Sequence, residues 1–154
     1  MTDEYLVRRF RPGDEAEWLR MLQALFPEDA TQELQEGIDM VLQHPERNAV
    51  FVLVRSEQAV PFKLGGFLEV SLRNEAEGCQ TSPVGYLEAW YVDPDLRQQG
   101  AGGELVRMAE EWSRAQGCQE MGSDCLLENQ VSLLAHLSLG YQEIERLIHF
   151  KKNL

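Results

Sequence analysis

Cysteine is scarce in this chain. There are three, Cys79, Cys118 and Cys125, an odd number with no CxxC pair. No disulfide framework is implied, and a reducing cytoplasm suits such a protein. Histidine is equally sparse: His44, His136 and His149 show no HxxxH spacing, so no metal centre is expected. The phosphate loop GxxxxGK followed by Ser or Thr is missing, as is the dinucleotide fingerprint GxGxxG. Ser82 lacks a GxSxG elbow, which argues against hydrolytic triad chemistry. No apolar run approaches the about 20 residues of a membrane span. The start, MTDEYLVRRF, lacks the apolar stretch of a secretory signal. Positive charge is also short, with 14 Lys and Arg against 26 Asp and Glu, for a net −12. Nucleic acid is then a poor partner, because phosphate binding needs clustered cations. A cationic ligand is favoured, although solubility alone also explains an acidic surface.

What is present reads as one α/β domain over residues 1–154, with an antiparallel first half and a parallel crossover. Leu6 to Arg11 is a strand. Glu15 to Phe26 is a helix whose stripe is Trp18, Met21/Leu22 and Leu25, stopped by Pro27. Thr31 is placed to cap a second helix carrying Leu34, Ile38, Val41 and Leu42, ended by His44-Pro45. Asn48 to Arg55 is a strand, Ser56 to Gln58 a turn, and Pro61 to Ser71 another strand, with a bulge at Gly65-Gly66. Arg73 to Pro83 is a polar loop. After the central strand and helix, Gln119 to Ser123 is a short buried parallel strand. Asn129 to Leu139 is a helix with Val131, Leu134, Ala135 and Ser138 facing inward, closed by Gly140. Tyr141 to Lys151 alternates like a strand, with Ile144, Ile148 and Phe150 on one face. The order is β-α-α-β-β-β-α-β-α-β.

The chain is organised around Val84 to Gln116. The run VGYLEAWYV is a β-branched and aromatic strand ended by Asp93-Pro94. ELVRMAEEWSRAQ is a helix with Leu105, Met108/Ala109 and Trp112 on one stripe and Gly117 as its closing residue. Between them lies Arg97-Gln98-Gln99-Gly100-Ala101-Gly102-Gly103. Glycines there let an anion approach main-chain amides at a helix start, where the dipole favours negative charge. By itself a glycine-rich turn is as readily a plain connection; strand before and helix after favour the cradle.

Four side chains stand out. Glu88 lies inside an apolar strand, and two-residue alternation puts it on one face with Tyr86 and Trp90. Such a carboxylate is either in a structural ion pair or grips an amine in a cleft. Asp124 follows the short parallel strand, where ligands gather in open α/β sheets, or simply ends it. Asn129 can cap the last helix. His136 on that helix is structural or, facing the cleft, a proton donor, since histidine exchanges protons near neutrality.

The RxxGxG run of Arg97 to Gly102 resembles the acetyl-CoA pyrophosphate loop of the GNAT N-acetyltransferase superfamily, and the element order resembles the GNAT acyl-CoA N-acyltransferase fold across nearly the whole chain. The segments TSPVGYLEAWYVDPDLRQQGAG, EMGSDCLLENQVS and HLSLGYQEIERLIHFKKN are more specific. They resemble the bacterial type I aminoglycoside 6'-N-acetyltransferases, which are resistance enzymes. The resemblance implies direct acetyl transfer from acetyl-CoA to the 6'-amino group of an aminoglycoside, and a homodimer. It implies that Glu88, Asp124 and Glu145 hold the aminosugar, with Phe26 as an aromatic contact where tryptophan is usual. Trp90, Tyr91 and Val92 would present backbone to acetyl-CoA, Arg97 to Gly103 would hold its pyrophosphate, and Asn129 would touch it. Glu88 or Asp124, through a water, would take the proton of the amine, and His136 would be the acid. The family often has a tyrosine at about Ala76, and this loop, RNEAEGCQ, has none. Other amines, namely a polyamine, a peptide N-terminus or lysine, therefore stay open, as does a non-catalytic module that binds acetyl-CoA.

Overall fold

The structure, a computed structural model, describes residues 6–55 and 61–154. The turn expected at Ser56 to Gln58 lies outside them. Among the described residues five strands form one sheet in sequence order: β1 (Leu6–Arg9), β2 (Asn48–Val54), β3 (Leu64–Arg73), β4 (Val84–Val92) and β5 (Met121–Ser123). The first four are antiparallel neighbours, and β5 runs parallel to β4. That parallel step needs a crossover, and α3 (Ala101–Ala115) supplies it.

Helices α1 (Glu15–Leu25) and α2 (Thr31–Gln43) precede β2 and cover one face of the sheet. Their apolar stripes, Trp18, Met21, Leu34 and Ile38, bury against Val50, Val52, Phe67 and Tyr91. On the other face, Leu105, Val106 and Ala109 of α3 bury against Phe51, Leu53, Leu68 and Leu87. Both faces are therefore dry, which explains the nearly unbroken burial of β2 and the first half of β3. Gly117, at φ 92°, ends α3 in the left-handed conformation expected of its closing residue.

Two bulges shape the sheet. Leu53 pairs with Gly66 and Val54 with Leu64, so Gly65 is an extra residue, as anticipated. Glu69 pairs with Ala89 and Val70 with Leu87, which leaves Glu88 as the extra residue of β4. Alternation breaks there. Leu87 and Trp90 both pack toward α3, while Ala89 and Tyr91 pack toward α1 and α2. Glu88 thus shares the α1/α2 face with Tyr86, and does not share a face with Trp90 as simple alternation indicated.

Other expectations also change. Thr31 is the first residue of α2, not its cap; Ala30 holds the cap position and the Thr31 hydroxyl accepts from Gln23 Nε2 at 3.1 Å. Strand β5 is half-exposed, because it lies at the sheet edge. Helix α4 (Gln130–Ser138) buries no residue fully, and Val131 and Leu134 are exposed on the side expected to face inward. Residues 141–154 form neither helix nor strand. A strand exists only where another backbone pairs with it, and among the described residues none pairs with that segment. Its alternating Ile144, Ile148 and Phe150 are left 58%, 74% and 92% exposed.

Candidate active site

β4 is paired to β5 only as far as Leu87 and Ser123. Beyond that register Glu88 to Val92 continue with β3 on one side and no described strand on the other. The two parallel strands therefore part and leave an open edge of main chain along the second half of β4. A 3-10 turn at Pro94–Leu96 follows, and then the glycine-rich connection. Arg97 Nε donates to the Val92 carbonyl at 2.7 Å, which pins this connection back onto the strand end. Gln98 and Gly100 both take positive φ, 62° and 89°. Left-handed residues alternating with ordinary ones turn successive amides to one side, the arrangement of an anion nest.

Helix α3 opens without a side-chain cap. Its first ladder bond runs from Glu104 N to the Gly100 carbonyl at 3.2 Å. The amides of Ala101, Gly102 and Gly103 are thus outside the ladder, at the positive end of a fifteen-residue helix. A Cβ on Gly102 would stand 3.1 Å from the Trp90 ring, so the helix start lies directly on β4. A diphosphate at this start and a thioester arm along the free edge of β4 both fit the residues present.

On the opposite face, between α2 and strands β3 and β4, lies a cleft of about 330 Å³ lined by Glu33, Glu69, Ser71 and Glu88 among apolar neighbours. That is at the lower end of the roughly 300–1,000 Å³ of ligand sites. Glu88 accepts from Ser71 Oγ at 2.6 Å and from Arg73 Nε and Nη2 at 2.9 and 2.8 Å. The Arg73 guanidinium lies 3.5 Å from the centre of the Tyr86 ring, and the Tyr86 hydroxyl donates to Asp124 Oδ2 at 2.6 Å. Glu88 and Asp124 are thereby joined through two intervening side chains. Burial, helped by the bond to Asp124, pushes the Tyr86 hydroxyl well above its ordinary value. It stays a donor at any working pH.

Glu69 differs from both. It pairs with the residue after the bulge, on the same face as Ser71 and Glu88, and makes no hydrogen bond or ion pair of ordinary geometry with a described residue. Burial, then the charge of Glu88, pushes its carboxyl up to about 7, and the neighbouring Trp18 indole opposes this weakly. Trp18 Nε1 itself is buried without a hydrogen bond of ordinary geometry.

His136 sits on the α3 face. Its ring meets Trp90 edge-on, 5.3 Å between centroids, and Tyr141 at 5.7 Å. Nδ1 lies 2.7 Å from the Ser132 carbonyl, which can only accept, so Nδ1 carries a proton. Nε2 lies 2.7 Å from Ser123 Oγ and, in the neutral ring, accepts from it. Since Ser123 is the last paired residue of β5, His136 stands where the strands part. Asn129 caps α4, accepting from Ser132 N at 3.0 Å.

Two anticipated residues are not brought in. Phe26 ends α1, 38% exposed, and does not line the cleft. Glu145 lies on the exposed 141–154 segment without a partner among the described residues. Conversely, Glu69, Ser71, Arg73, Tyr86 and Ser123 were not singled out from sequence. A polar residue at every second position, Glu69-x-Ser71-x-Arg73, in an otherwise apolar strand was the available signal.

A parting pair of parallel strands, an uncapped glycine-rich helix start between them and an acid-lined cleft on the far face suit an acyl-CoA-dependent transferase. The family model of the acetyltransferase (GNAT) family matches residues 15–141, and the chain belongs to that family. It is 39% identical to the aminoglycoside N(6')-acetyltransferase type 1 of Klebsiella aerogenes over 154 residues, covering all of both chains. Among solved structures it resembles AAC(6')-Iy in complex with the bisubstrate analog CoA-S-monomethyl-acetylneamine (TM-score 0.85, 28% identity, 99% of this chain and 100% of that one). It is equally similar to apo AAC(6')-IG from Acinetobacter haemolyticus (TM-score 0.85, 30% identity, 97% and 99%).

Proposed function

We propose that residues 1–154 act as one catalytic domain that transfers acetyl from acetyl-CoA directly to the 6'-amino group of aminoglycoside antibiotics, an activity that confers resistance. The observation that carries this reading is the bulge at Glu88, which turns a carboxylate toward the cleft at the level where β5 leaves β4. The likeness to relatives of the same length supports the choice of amine.

In this reading the amides of Gly100 to Gly103, with Arg97, Gln98 and Gln99 shaping the turn, hold the pyrophosphate of acetyl-CoA. Trp90, Tyr91 and Val92 offer their backbone to its arm and polarise the thioester carbonyl. When bound, acetyl-CoA supplies the activated acetyl group. Glu88 and Asp124 grip ammonium groups of the substrate, the first by exchanging Arg73 for the ligand. Asn129 borders the cofactor arm, and His136 returns a proton to the departing thiolate. Phe26 and Glu145 join the substrate site once a second copy completes it. The chain is proposed to work as a homodimer, because Leu147, Ile148 and Phe150 of its 141–154 segment are exposed in one copy. The cytoplasm, where acetyl-CoA is found, is the proposed compartment, and free cysteines suit it. No metal, nucleic acid or membrane has a role.

The test is thiol release from acetyl-CoA with kanamycin, spermidine and a lysine peptide side by side, with the acetylated position read by NMR. Turnover of kanamycin at its 6'-amine is expected. Spermidine or the peptide as the better substrate overturns the choice of amine, an outcome that the small Ala76 beside Tyr86 and Gly122 makes worth testing. CoA binding without any turnover reduces the chain to a sensor.

A further inference from the structure

We propose that Glu69 is the catalytic residue that takes the proton from the attacking ammonium, a cleft carboxylate distinct from both Glu88 and Asp124. The inference rests on the reading above that the acceptor is an amine. An ammonium cannot attack a carbonyl until it loses a proton, so some group in the cleft must accept one. Glu88 is poorly suited. Its two oxygens already accept from Ser71 and twice from Arg73, so both are engaged. Asp124 accepts from the Tyr86 hydroxyl, which remains a donor. Glu69 has a carboxylate free to receive a proton, lines the same cleft and flanks the bulge through its pair with Ala89.

The surroundings set its proton affinity near the working pH. Of the charged groups lining the cleft, Glu88 on β4 and Glu33 on α2 are both acidic. Arg73, which pairs with Glu88, is committed to it. Helix α1 contributes the Trp18 indole N–H and the apolar Leu22. Burial and like charge hold the carboxyl up to about 7. A base of that strength gains a proton from an amine without keeping it permanently. A free carboxylate of ordinary acidity does so far less well.

An N–H bond of the ammonium breaks and its proton joins a Glu69 oxygen. The freed nitrogen lone pair forms the bond to the acetyl carbon, and the C–S pair leaves on sulfur. The second proton lost by nitrogen matches the one gained by the thiolate. Glu69 releases its proton to solvent when product leaves, so one proton appears per turnover.

The experiment is the pH profile of kcat/KM for kanamycin acetylation from pH 5 to 9 in wild type, E69Q and E69D, with CoA affinity measured for each. Wild type should rise through a limb near pH 7. E69Q should lose about 100-fold or more, the usual contribution of a general base, and lose the limb while binding CoA as before. E69D keeps a carboxylate and should recover at least a tenth of the activity with the limb displaced. If E69Q does not fold, the displaced limb of E69D decides alone. An unchanged limb in a folded variant overturns the proposal. Wild type that turns over no amine overturns instead the function on which it rests.

Discussion

β4 carries an acid–arginine cluster at its middle and another just past its end, and the two behave differently. Asp93 is buried beneath Arg20 and Arg55, with contacts of 3.1 and 2.8 Å and side-chain exposures of 6% for the acid and 7% for Arg55. Glu88 meets one arginine, and both side chains reach solvent, at 29% and 43% exposure. The first cluster joins α1, β2 and the turn after β4, so it fixes the strand end from which the glycine-rich connection departs. The second lines an open cleft. A buried pair cannot be unmade cheaply, whereas an exposed one is worth at most about 1 kcal/mol and can be traded for a ligand's cation. The same chemistry serves as a bolt in one place and as an exchangeable contact in the other.

The largest expected effect breaks the bolt. D93A leaves Arg20 and Arg55 facing each other, with Arg55 held only by Asp95, and should cost about 3 kcal/mol of stability in urea unfolding. Burial pushes the Asp93 carboxyl up, but the hydrogen bonds from Arg20 and Arg55 outweigh it and hold the group below its ordinary value. The stabilisation is therefore present at neutral pH and lost as pH falls through that lowered value. The gap between wild type and D93A should narrow under acid conditions. A constant gap down to pH 3 would show that packing, not charge, is what Asp93 contributes.

The matching change at the open cluster should separate stability from catalysis. E88Q is expected to unfold within about 1 kcal/mol of wild type, since the pair is exposed. Its kcat/KM should nonetheless fall by 100-fold or more, in line with the roughly 2–5 kcal/mol of a lost charge partner. R73A should also fold normally, yet lower the KM for a polycationic substrate by removing the resident cation from Glu88. A raised KM in R73A would mean that the arginine orients Glu88 and does not compete for it.

Much of this was legible in the sequence because it rests on local rules. The anion turn shows in Arg97 to Gly103, the strand end in Asp93-Pro94, and the Gly65 bulge in paired glycines. The bulge at Glu88 was not legible, since no glycine or proline marks it. It is visible only in the register of two strands, and it reverses which neighbours Glu88 keeps. Arg73 and Tyr86 were missed for a related reason: their roles depend on partners 15 and 38 residues away. The 141–154 segment alternates like a strand, but periodicity reports only the wish to pair. It cannot say whose backbone answers.

Glu69 is perturbed in the opposite sense to Asp93. Its carboxyl is raised, first by burial and then by Glu88, so the folded state holds a proton that the unfolded chain releases between about pH 4.5 and 7. The stability it withholds is absent below the unfolded value and grows as pH climbs to about 7. E69Q should therefore be more stable than wild type at pH 8, by at most about 3 kcal/mol, and equal to it near pH 4. Thermal melts at the two pH values test this. An E69Q that is less stable at pH 8 would mean that the carboxylate has a partner in solution.

The smallest effect concerns two helix starts. α4 is capped by the Asn129 side chain, and α3 has no side-chain cap. A cap satisfies the amides that an anion would otherwise bind, so a helix built to hold a diphosphate does better without one. N129A should cost about 1 kcal/mol, the ordinary value of a lost cap. If Asn129 also reaches acetyl-CoA, N129D, which can still cap, should restore stability but leave CoA binding weak. If N129D restores both, Asn129 is a cap alone and the cofactor is held from the α3 side.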